Sequence, residues 1–564
     1  MINKRGKKMN IVKEDMNESM RELRPGSGSF RELRENDSFY VDKTAFIDHV
    51  LNNRGCKALL FTRPRRFGKT LNLSTLNCYL NKDYAGNDWF DDLNISKLRP
   101  NDPEKNSHVI LNLSFIRSFD GSFQDFRIVL KDVLRKAYIA HDYLLNSDKL
   151  PEYRKTMVSK ILSNNDTDFA SSMCDLIDML HVHHGRPIVL LIDEYDNPAN
   201  RSKGEERRKI LNSLSGFYTL ALKDNENVEF AVVTGVMRIA KESIFSGLNN
   251  LHVNDIFSKD SDELFGFTNA EIKTICEEFE KPEKVDEIRS WYDGYRFGGV
   301  DVYNPWSVVN YIQSGFNVRP YWINTSSNLI INEMLEDPDK TMIDTLNALA
   351  SGRPIMKTLH TTVTYSELDQ NRSKIYSILV MAGYLNAVPN NETDDLFELT
   401  IPNKEVLMEF SRKIMEKVDP SSTMESKVFV DAVMEGNVDV MISSLEKLAM
   451  NSISIRLSQD HRTYQMFIAG LMMQFEGRYE ITADFESGRG YHDLKMKRIK
   501  GTGPNIIMEF KETESGSQES LAKEALKQIH DRRYYHGMTG DTLLYGICIK
   551  EKTPLILSEN LTLP

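Results

Sequence analysis

Residues 58–71 read Ala58-Leu59-Leu60-Phe61-Thr62-Arg63-Pro64-Arg65-Arg66-Phe67-Gly68-Lys69-Thr70-Leu71, and Asn72-Leu73-Ser74-Thr75-Leu76 follows. A short apolar run, a loop holding proline and glycine, and a helical pattern predict strand, loop, helix. Gripping a phosphate at such a junction needs three things: a glycine where backbone amides approach the anion, a lysine that reaches the β/γ oxygens, and a hydroxyl for Mg²⁺. Gly68, Lys69 and Thr70 supply them, with Arg66, Phe67 and Leu71 flanking in the nucleotide-binding set. The first glycine of the phosphate-loop pattern is absent, because Arg63 stands there. A bare Gly-Lys-Ser/Thr would turn up by chance in about one chain in four of this length, so the triplet needs support from elsewhere.

That support is Ile188-Val189-Leu190-Leu191-Ile192-Asp193-Glu194, a continuous apolar strand ending in two carboxylates. Such a strand places Asp193 at the C-terminal edge of a sheet, beside the phosphate loop, where it can hold Mg²⁺ together with Thr70. Glu194 is suited to orient and polarise an attacking water. A third run, Phe230-Ala231-Val232-Val233-Thr234, ends in a hydroxyl that reads either as a γ-phosphate sensor or as a plain strand-end threonine. Phosphoryl transfer also wants a charge-stabilising arginine, and Arg63, Arg65, Arg66 and Arg238 are the candidates. With Val109-Ile110-Leu111-Asn112-Leu113 these runs alternate with helical patterns from residue 25 to about 255, which predicts a parallel sheet covered on both faces.

The chain has 564 residues, enough for about two to four domains. Hydrophobic residues make up 40% and charged residues 27%, the balance of a globular protein and not of a disordered or fibrous one. Apolar runs of about five residues fall far short of the ~20 that a spanning helix needs, and no apolar stretch follows the basic N-terminus, so neither membrane nor secretion is expected. Five scattered cysteines without a CxxC pair fit buried thiols in a reducing compartment, which makes the cytoplasm the expected location. A net charge of −11 excludes non-specific coating of nucleic acid; phosphate contacts have to come from local basic clusters.

After Pro25-Gly26-Ser27-Gly28-Ser29, which ends a charged leader (1–24), three blocks follow: 25–255, a mostly helical 256–400 with a hairpin tip at 388–395, and 401–564. The last is helical to about 475, then shows strands over 479–511, a helix over 518–532 and a final strand over 543–549. Asn505-Ile506-Ile507-Met508-Glu509-Phe510-Lys511 has strand period, so Glu509 and Lys511 project from one face with Ile507. Asp493, from the preceding strand, joins Glu509 to make a hard-oxygen site for Mg²⁺ or Mn²⁺, and Lys511 is placed to help activate a water against a phosphodiester. Glu-x-Lys also occurs at Glu271-Ile272-Lys273 and Glu425-Ser426-Lys427, without a strand aspartate ahead. The helix after Lys511 carries an apolar stripe at Leu521, Ala525 and Ile529, then runs into His530, Arg532, Arg533, Tyr534 and Tyr535. With Lys495, Lys497, Arg498 and Lys500 these suit a nucleic-acid backbone, although a basic helix end also simply complements the helix dipole.

The chain resembles the prokaryotic AAA-ATPase-like proteins that carry a C-terminal PD-(D/E)xK restriction-endonuclease-like domain. The matching pieces are Phe39-Tyr40-Val41-Asp42-Lys43-Thr44, the Arg63–Thr70 loop, Leu191–Asp196, Ser243–Asn250, Trp291–Gly299 and Tyr303-Asn304-Pro305-Trp306-Ser307. Near the C-terminus Glu486–Gly490, Ile507–Lys511 and Ala525–Ile529 match as well. In that family the missing first glycine is usual. The resemblance implies an α/β fold: a P-loop NTPase parallel-sheet core, a helical middle region and a restriction-endonuclease-like α/β tail. In the tail Asp493, Glu509 and Lys511 fall on signature positions and Gln528 on an additional catalytic glutamine. The Tyr-Val-Asp-Lys-Thr and Tyr-Asn-Pro-Trp-Ser pieces are expected to serve packing.

These readings converge on a P-loop ATPase that gates a metal-dependent nuclease, with ATP and Mg²⁺ as ligands (Mn²⁺ being an alternative at the tail site). DNA is the expected nucleic-acid partner ahead of RNA, and an oligomer is left open. The alternative is a nucleotide-switched module that holds nucleic acid or protein with an inactive nuclease-like tail.

Overall fold

In the computed structural model, residues 21–163, 171–237, 251–322, 353–360, 374–390, 395–408, 420–452, 461–472, 478–487, 490–513, 516–550 and 553–564 are described, with a few isolated positions between them. Arg238, Ser243–Asn250 and Gly488–Arg489 lie outside these residues. The chain divides into two compact units, one mainly Met1–Arg289 with Arg296–Phe316, the other mainly Ser290–Tyr295, Asn317–Val363 and Gln370–Pro564.

The first unit is built on five parallel strands: β1 (Ala58–Thr62), β2 (Ile110–Ser114), β3 (Ile188–Asp193), β4 (Val228–Gly235) and β5 (Leu251–Asn254), in the order β2-β3-β4-β1-β5. β1 and β3 are buried at every position, as expected of strands with helices on both faces. Among those helices are α1 (Lys69–Leu80), α2 (Phe123–Ala140), α3 (Ser172–His184) and α4 (Gly204–Leu222). On α2 the buried residues Phe126, Val129, Leu130, Val133, Leu134, Ala137 and Tyr138 fall at helical spacing, so one stripe faces the core. Each valine, leucine or phenylalanine among them contributes about 1.5–3 kcal/mol when fully buried. β4 lies between β1 and β3, so Thr234 reaches the same sheet edge as Gly68 and Asp193.

Two sequence pieces fasten this unit. Asp42 accepts from Thr44 (N 2.9 Å, Oγ1 2.6 Å) and from Asn94 N (2.6 Å), while Lys43 Nζ donates to Glu263 O (2.9 Å) and Glu271 (2.7 Å). Glu271 is also the N3 residue of a capping box opening α5 (Asn269–Glu278). Tyr303 donates to Asn269 Oδ1 (2.6 Å), Asn304 caps α6 (Pro305–Gln313) and Pro305 begins it. Both pieces pack, and the second also reaches the phosphate loop.

In the second unit, β6 (Ile355–Thr358) precedes α7 (Ile375–Ala382), and β7 (Asn386–Pro389) and β8 (Leu396–Thr400) follow it; the three strands form a small antiparallel sheet. β7 and β8 are the arms of the hairpin at 388–395, whose residues 391–394 lie outside the described residues. Three helices, α8 (Pro420–Glu435), α9 (Val438–Ser452) and α10 (His461–Met472), lead to a mixed sheet. It orders β9 (Tyr479–Ser487), β10 (Gly490–Arg498), β11 (Asn505–Glu512), β12 (Gly540–Lys550) and β13 (Thr553–Leu563). Only β11 and β12 are parallel, and α11 (Gln518–Arg532) is their crossover. α11 lies so close that a Cβ at Gly546 would fall 2.1 Å from Ala522 O. Its buried stripe is Ala522, Ala525 and Ile529; the last two are as the sequence predicts, and Ala522 takes the place expected of Leu521. β13 corrects the reading of 543–549 as the last strand; Pro554 and the polar Ser558-Glu559-Asn560 disguise an edge strand.

Candidate functional site

At the C-terminal edge of the parallel sheet, Thr70 Oγ1 donates to Asp193 Oδ2 (2.7 Å) and Thr234 Oγ1 to Asp193 Oδ1 (2.6 Å). Gly68 is left-handed at φ 83°, the conformation that starts α1 with its amides turned outward. Lys69 is 3% exposed; its Nζ donates to Arg63 O and Pro64 O (both 3.1 Å) and lies 3.4 Å from Glu194 Oε1. Leu71 is in the first turn of α1, and Phe67 is buried against Phe297, so the Phe67 backbone and not its ring belongs to the loop. Glu194 and Arg66 both hold positive φ (54° and 71°), a conformation that non-glycine residues keep only when their surroundings enforce it. Burial, with Glu194 next to it, pushes the Asp193 carboxyl above its usual range. Thr70 and Asp193 form a hard-oxygen donor set that fits Mg²⁺.

The arginine candidates separate. Arg63 is fully buried, donating to Thr62 O, Asn254 O and Ser261 O, with its guanidinium over Phe265 and Phe297. Burial pushes its pKa down to about 10, and it acts as a strut that no phosphate reaches. Arg66 stacks on Trp306 at 4.2 Å, and a Cβ on Gly28 would come within 2.9 Å of Thr70 Cγ2, so α6 and the leader's end both adjoin the loop.

The sequence reading missed Asp196. Fully buried, its carboxylate accepts from Val236 N (3.0 Å), Met237 N (2.7 Å) and Asn200 Nδ2 (2.9 Å), tying the turn after β3 to the end of β4. Tyr195 adds a bond to Met237 O (2.6 Å). A Cβ at Gly235 would lie 2.5 Å from the Tyr195 ring and 2.6 Å from Asp196 Oδ1. Gly235→Ala is therefore expected to cost about 1–3 kcal/mol in a urea melt and to lower nucleotide affinity with it.

At the opposite end of the sheet, His108 sets Nε2 against Glu104 (2.7 Å) and Nδ1 against Glu229 (3.2 Å), with Arg54 2.7 Å from Glu104. Two ring nitrogens on two carboxylates, with a guanidinium beside them, make an ion-pair knot and not a chelate.

In the second unit, Asp493, Glu509 and Lys511 share the sheet face that α11 covers. The register Leu494↔Met508, Lys495↔Ile507 brings β10 and β11 side by side there. Gln528 Nε2 donates to Glu509 Oε1 and to Tyr534 Oη (3.1 Å), and Lys511 Nζ donates to Gln528 Oε1 (2.7 Å) and lies 3.7 Å from Glu509. Asp493 Oδ2 accepts from Phe510 N (2.7 Å), and Gln465 of α10 holds Asp493 O (2.8 Å). Gln528 precedes the buried Ile529 on α11, on the side of the helix that meets the acids. Tyr534 is buried in this network and offers no face to a base, and His530 pairs with Glu559 (3.0 Å); Arg532 and Arg533 stay exposed.

Glu509 is 2% exposed and its Oε2 has no hydrogen-bond partner among the described residues. An orphaned carboxylate oxygen beside a second carboxylate fits a divalent cation. Burial first, then Asp493, pushes the Glu509 carboxyl up to about 8. Below that pH a proton competes with the cation, so apparent Mn²⁺ affinity is expected to rise about tenfold per pH unit and to level off above pH ~8. Without metal the folded chain holds this proton more tightly than the unfolded chain does. That stabilisation is complete below the ordinary glutamate range and is lost as pH rises through about 8. Melts in EDTA should show the fall, and Mn²⁺ should reverse it.

The comparisons with known proteins agree with this geometry. Residues 24–245 match the family model described as predicted AAA-ATPase, and 459–557 that of the PD-(D/E)XK nuclease superfamily. An uncharacterized protein from the vnfD 5' region of Azotobacter chroococcum is 28% identical over 526 residues, 92% of this chain and 93% of the relative. The solved structure of Drosophila ORC bound to DNA aligns with 74% of this chain and 96% of its own at 10% identity and a TM-score of 0.26, a likeness too shallow to carry any argument. No helix among the described residues is long and apolar enough to cross a membrane. The phosphate loop and the strand that ends in Asp193 thus lie in the stretch similar to the predicted AAA-ATPase family, and Asp493, Glu509, Lys511 and Gln528 in the stretch similar to the PD-(D/E)XK nuclease superfamily.

Proposed function

We propose that this chain binds and hydrolyses ATP and that its nucleotide state governs a metal-dependent phosphodiesterase acting on DNA. At the first site Lys69 holds the β/γ oxygens, Thr70 and Asp193 hold Mg²⁺, and Thr234 fixes the Asp193 carboxylate from the neighbouring strand. Glu194 orients the attacking water. At the second, Asp493 and Glu509 hold the cation while Lys511, steered by Gln528, faces the phosphodiester. When bound there, the cation supplies Lewis-acid polarisation of the phosphoryl oxygen and a more acidic water. Glu509 carries the reading: a buried acid with one unbonded oxygen is costly unless an ion occupies that side.

One incubation series tests it: plasmid and single-stranded DNA and RNA with Mg²⁺ or Mn²⁺, with and without ATP, using the intact chain and Asp493→Ala. Cleavage by the intact chain alone supports the reading. A metal-dependent gel shift without product, in every nucleotide condition, would replace it with the binding-module reading.

A further inference from the structure

We infer that Gln465, on the helix before the mixed sheet, is the positioning residue that sets the Asp493 carboxylate for its cation. This rests on the metal-site reading above and deepens it.

Gln465 stands among residues of another kind. On α10 the positions Gln465, Ile468, Ala469 and Met472 fall on one face at helical spacing, and each is at most 1% exposed. Packing alone fills such a face with apolar side chains. An amide there costs free energy that only hydrogen bonds offset. Gln465 Nε2 donates to Asp493 O at 2.8 Å.

Asp493 is the strand residue that gains most from this bond. Among the described residues, β10 pairs with β11 over Leu494–Met496, and with β9 at Leu494 and at His492 but not at Asp493 between them. The acid therefore sits where the ladders support its backbone least. Two bonds that involve side chains take over. Gln465 grips the carbonyl from α10, and Asp493 Oδ2 accepts from Phe510 N at 2.7 Å. The first fixes the peptide plane, and the second fixes the turn of the carboxylate. Phe510 lies between Glu509 and Lys511, so the same two bonds set Asp493 against both of its partners in the site.

Ligands of a cation have to be held to within about 0.5 Å by the residues behind them. Losing such a supporting bond typically costs about 10–100-fold in metal affinity or activity. Gln465 acts through the Asp493 backbone, so its effect belongs to the placement of that acid. A plain strut between α10 and the sheet would instead show in stability.

Two variants of the full chain, measured without nucleotide, decide between these roles. Gln465→Met keeps the length of the side chain and removes the donor; Gln465→His keeps an N–H. In Gln465→Met, calorimetric Mn²⁺ affinity at the tail site should fall about 10–100-fold. The kcat of plasmid cleavage should fall by a similar factor with KM for DNA unchanged. In EDTA the Phe510 amide should exchange with solvent faster than in wild type, while Ile506 and Met508 exchange as before and the melting temperature holds. Gln465→His should restore most of the affinity and of the Phe510 protection. Wild-type Mn²⁺ affinity in Gln465→Met overturns the inference. So does a loss that comes with a lower melting temperature in EDTA and faster exchange along all of β11. Wild-type Mn²⁺ affinity in Glu509→Gln overturns the metal-site reading itself, and the Phe510 exchange then still decides whether Gln465 holds Asp493.

Discussion

Lys69→Ala should reduce phosphate release from ATP by about 10³-fold or more, because the cation placed to meet the β/γ oxygens would be gone. The lysine is nearly inaccessible, and its ammonium is shared by two loop carbonyls and Glu194. Alanine leaves those acceptors facing one another, so the loop loses its internal counter-charge as well as its contact to the β/γ oxygens. The loss should appear in a non-hydrolysable analogue's affinity and in kcat together, since the ammonium meets ground state and transition state alike. Lys69→Arg should not rescue, because the pocket is closed around a compact ammonium. More than about a tenth of wild-type turnover in Lys69→Ala would place the phosphate grip elsewhere.

Glu509→Gln is the second large effect expected. The substitution keeps volume and removes the charge, so calorimetric Mn²⁺ binding at the tail site should vanish and plasmid cleavage should fall to background, about 10³-fold or more. ATP turnover should persist, because Glu509 belongs to the other unit. Asp493→Ala is the harsher probe, since Asp493 also accepts the Phe510 amide and its loss loosens β11. Asp493→Asn, which can still accept that bond, separates the two roles. The melting temperature of Glu509→Gln should equal or exceed that of wild type in EDTA, because the amide removes the buried carboxylate that folding otherwise has to keep protonated. Cleavage that survives in both Glu509→Gln and Asp493→Asn would rule the site out.

How far the sequence led depends on the kind of signal each element carries. β1 and β3 were legible because fully buried parallel strands are unbroken apolar runs, and the phosphate loop because glycine, lysine and threonine must be adjacent to work. Strand period two put Glu509 and Lys511 on one face, and Gln528 meets both side chains. β5 was missed because Leu251–Asn254 is four residues with two polar ones, recognisable only through its pairing with β1. Asp196 was given no role although it ends the Leu191–Asp196 piece, because its partners Val236 and Met237 are 40 residues away and come to it only through the pairing of β3 with β4. Tyr534 misled, since a tyrosine in a basic stretch looks the same whether its hydroxyl faces solvent or a buried glutamine.

Arg63 has a consequence for anyone tempted to restore the commoner glycine at that position. The guanidinium pins the base of the loop to the carbonyls of Asn254 and Ser261 and sandwiches itself between two rings. A loop anchored this way is preassembled, whereas a glycine-hinged one must be gathered up by the incoming phosphates and so dissipates part of their binding energy in ordering. The departure from the familiar motif is thus a gain in readiness: the cradle waits in shape, and the energy of phosphate contact is left for whatever motion follows.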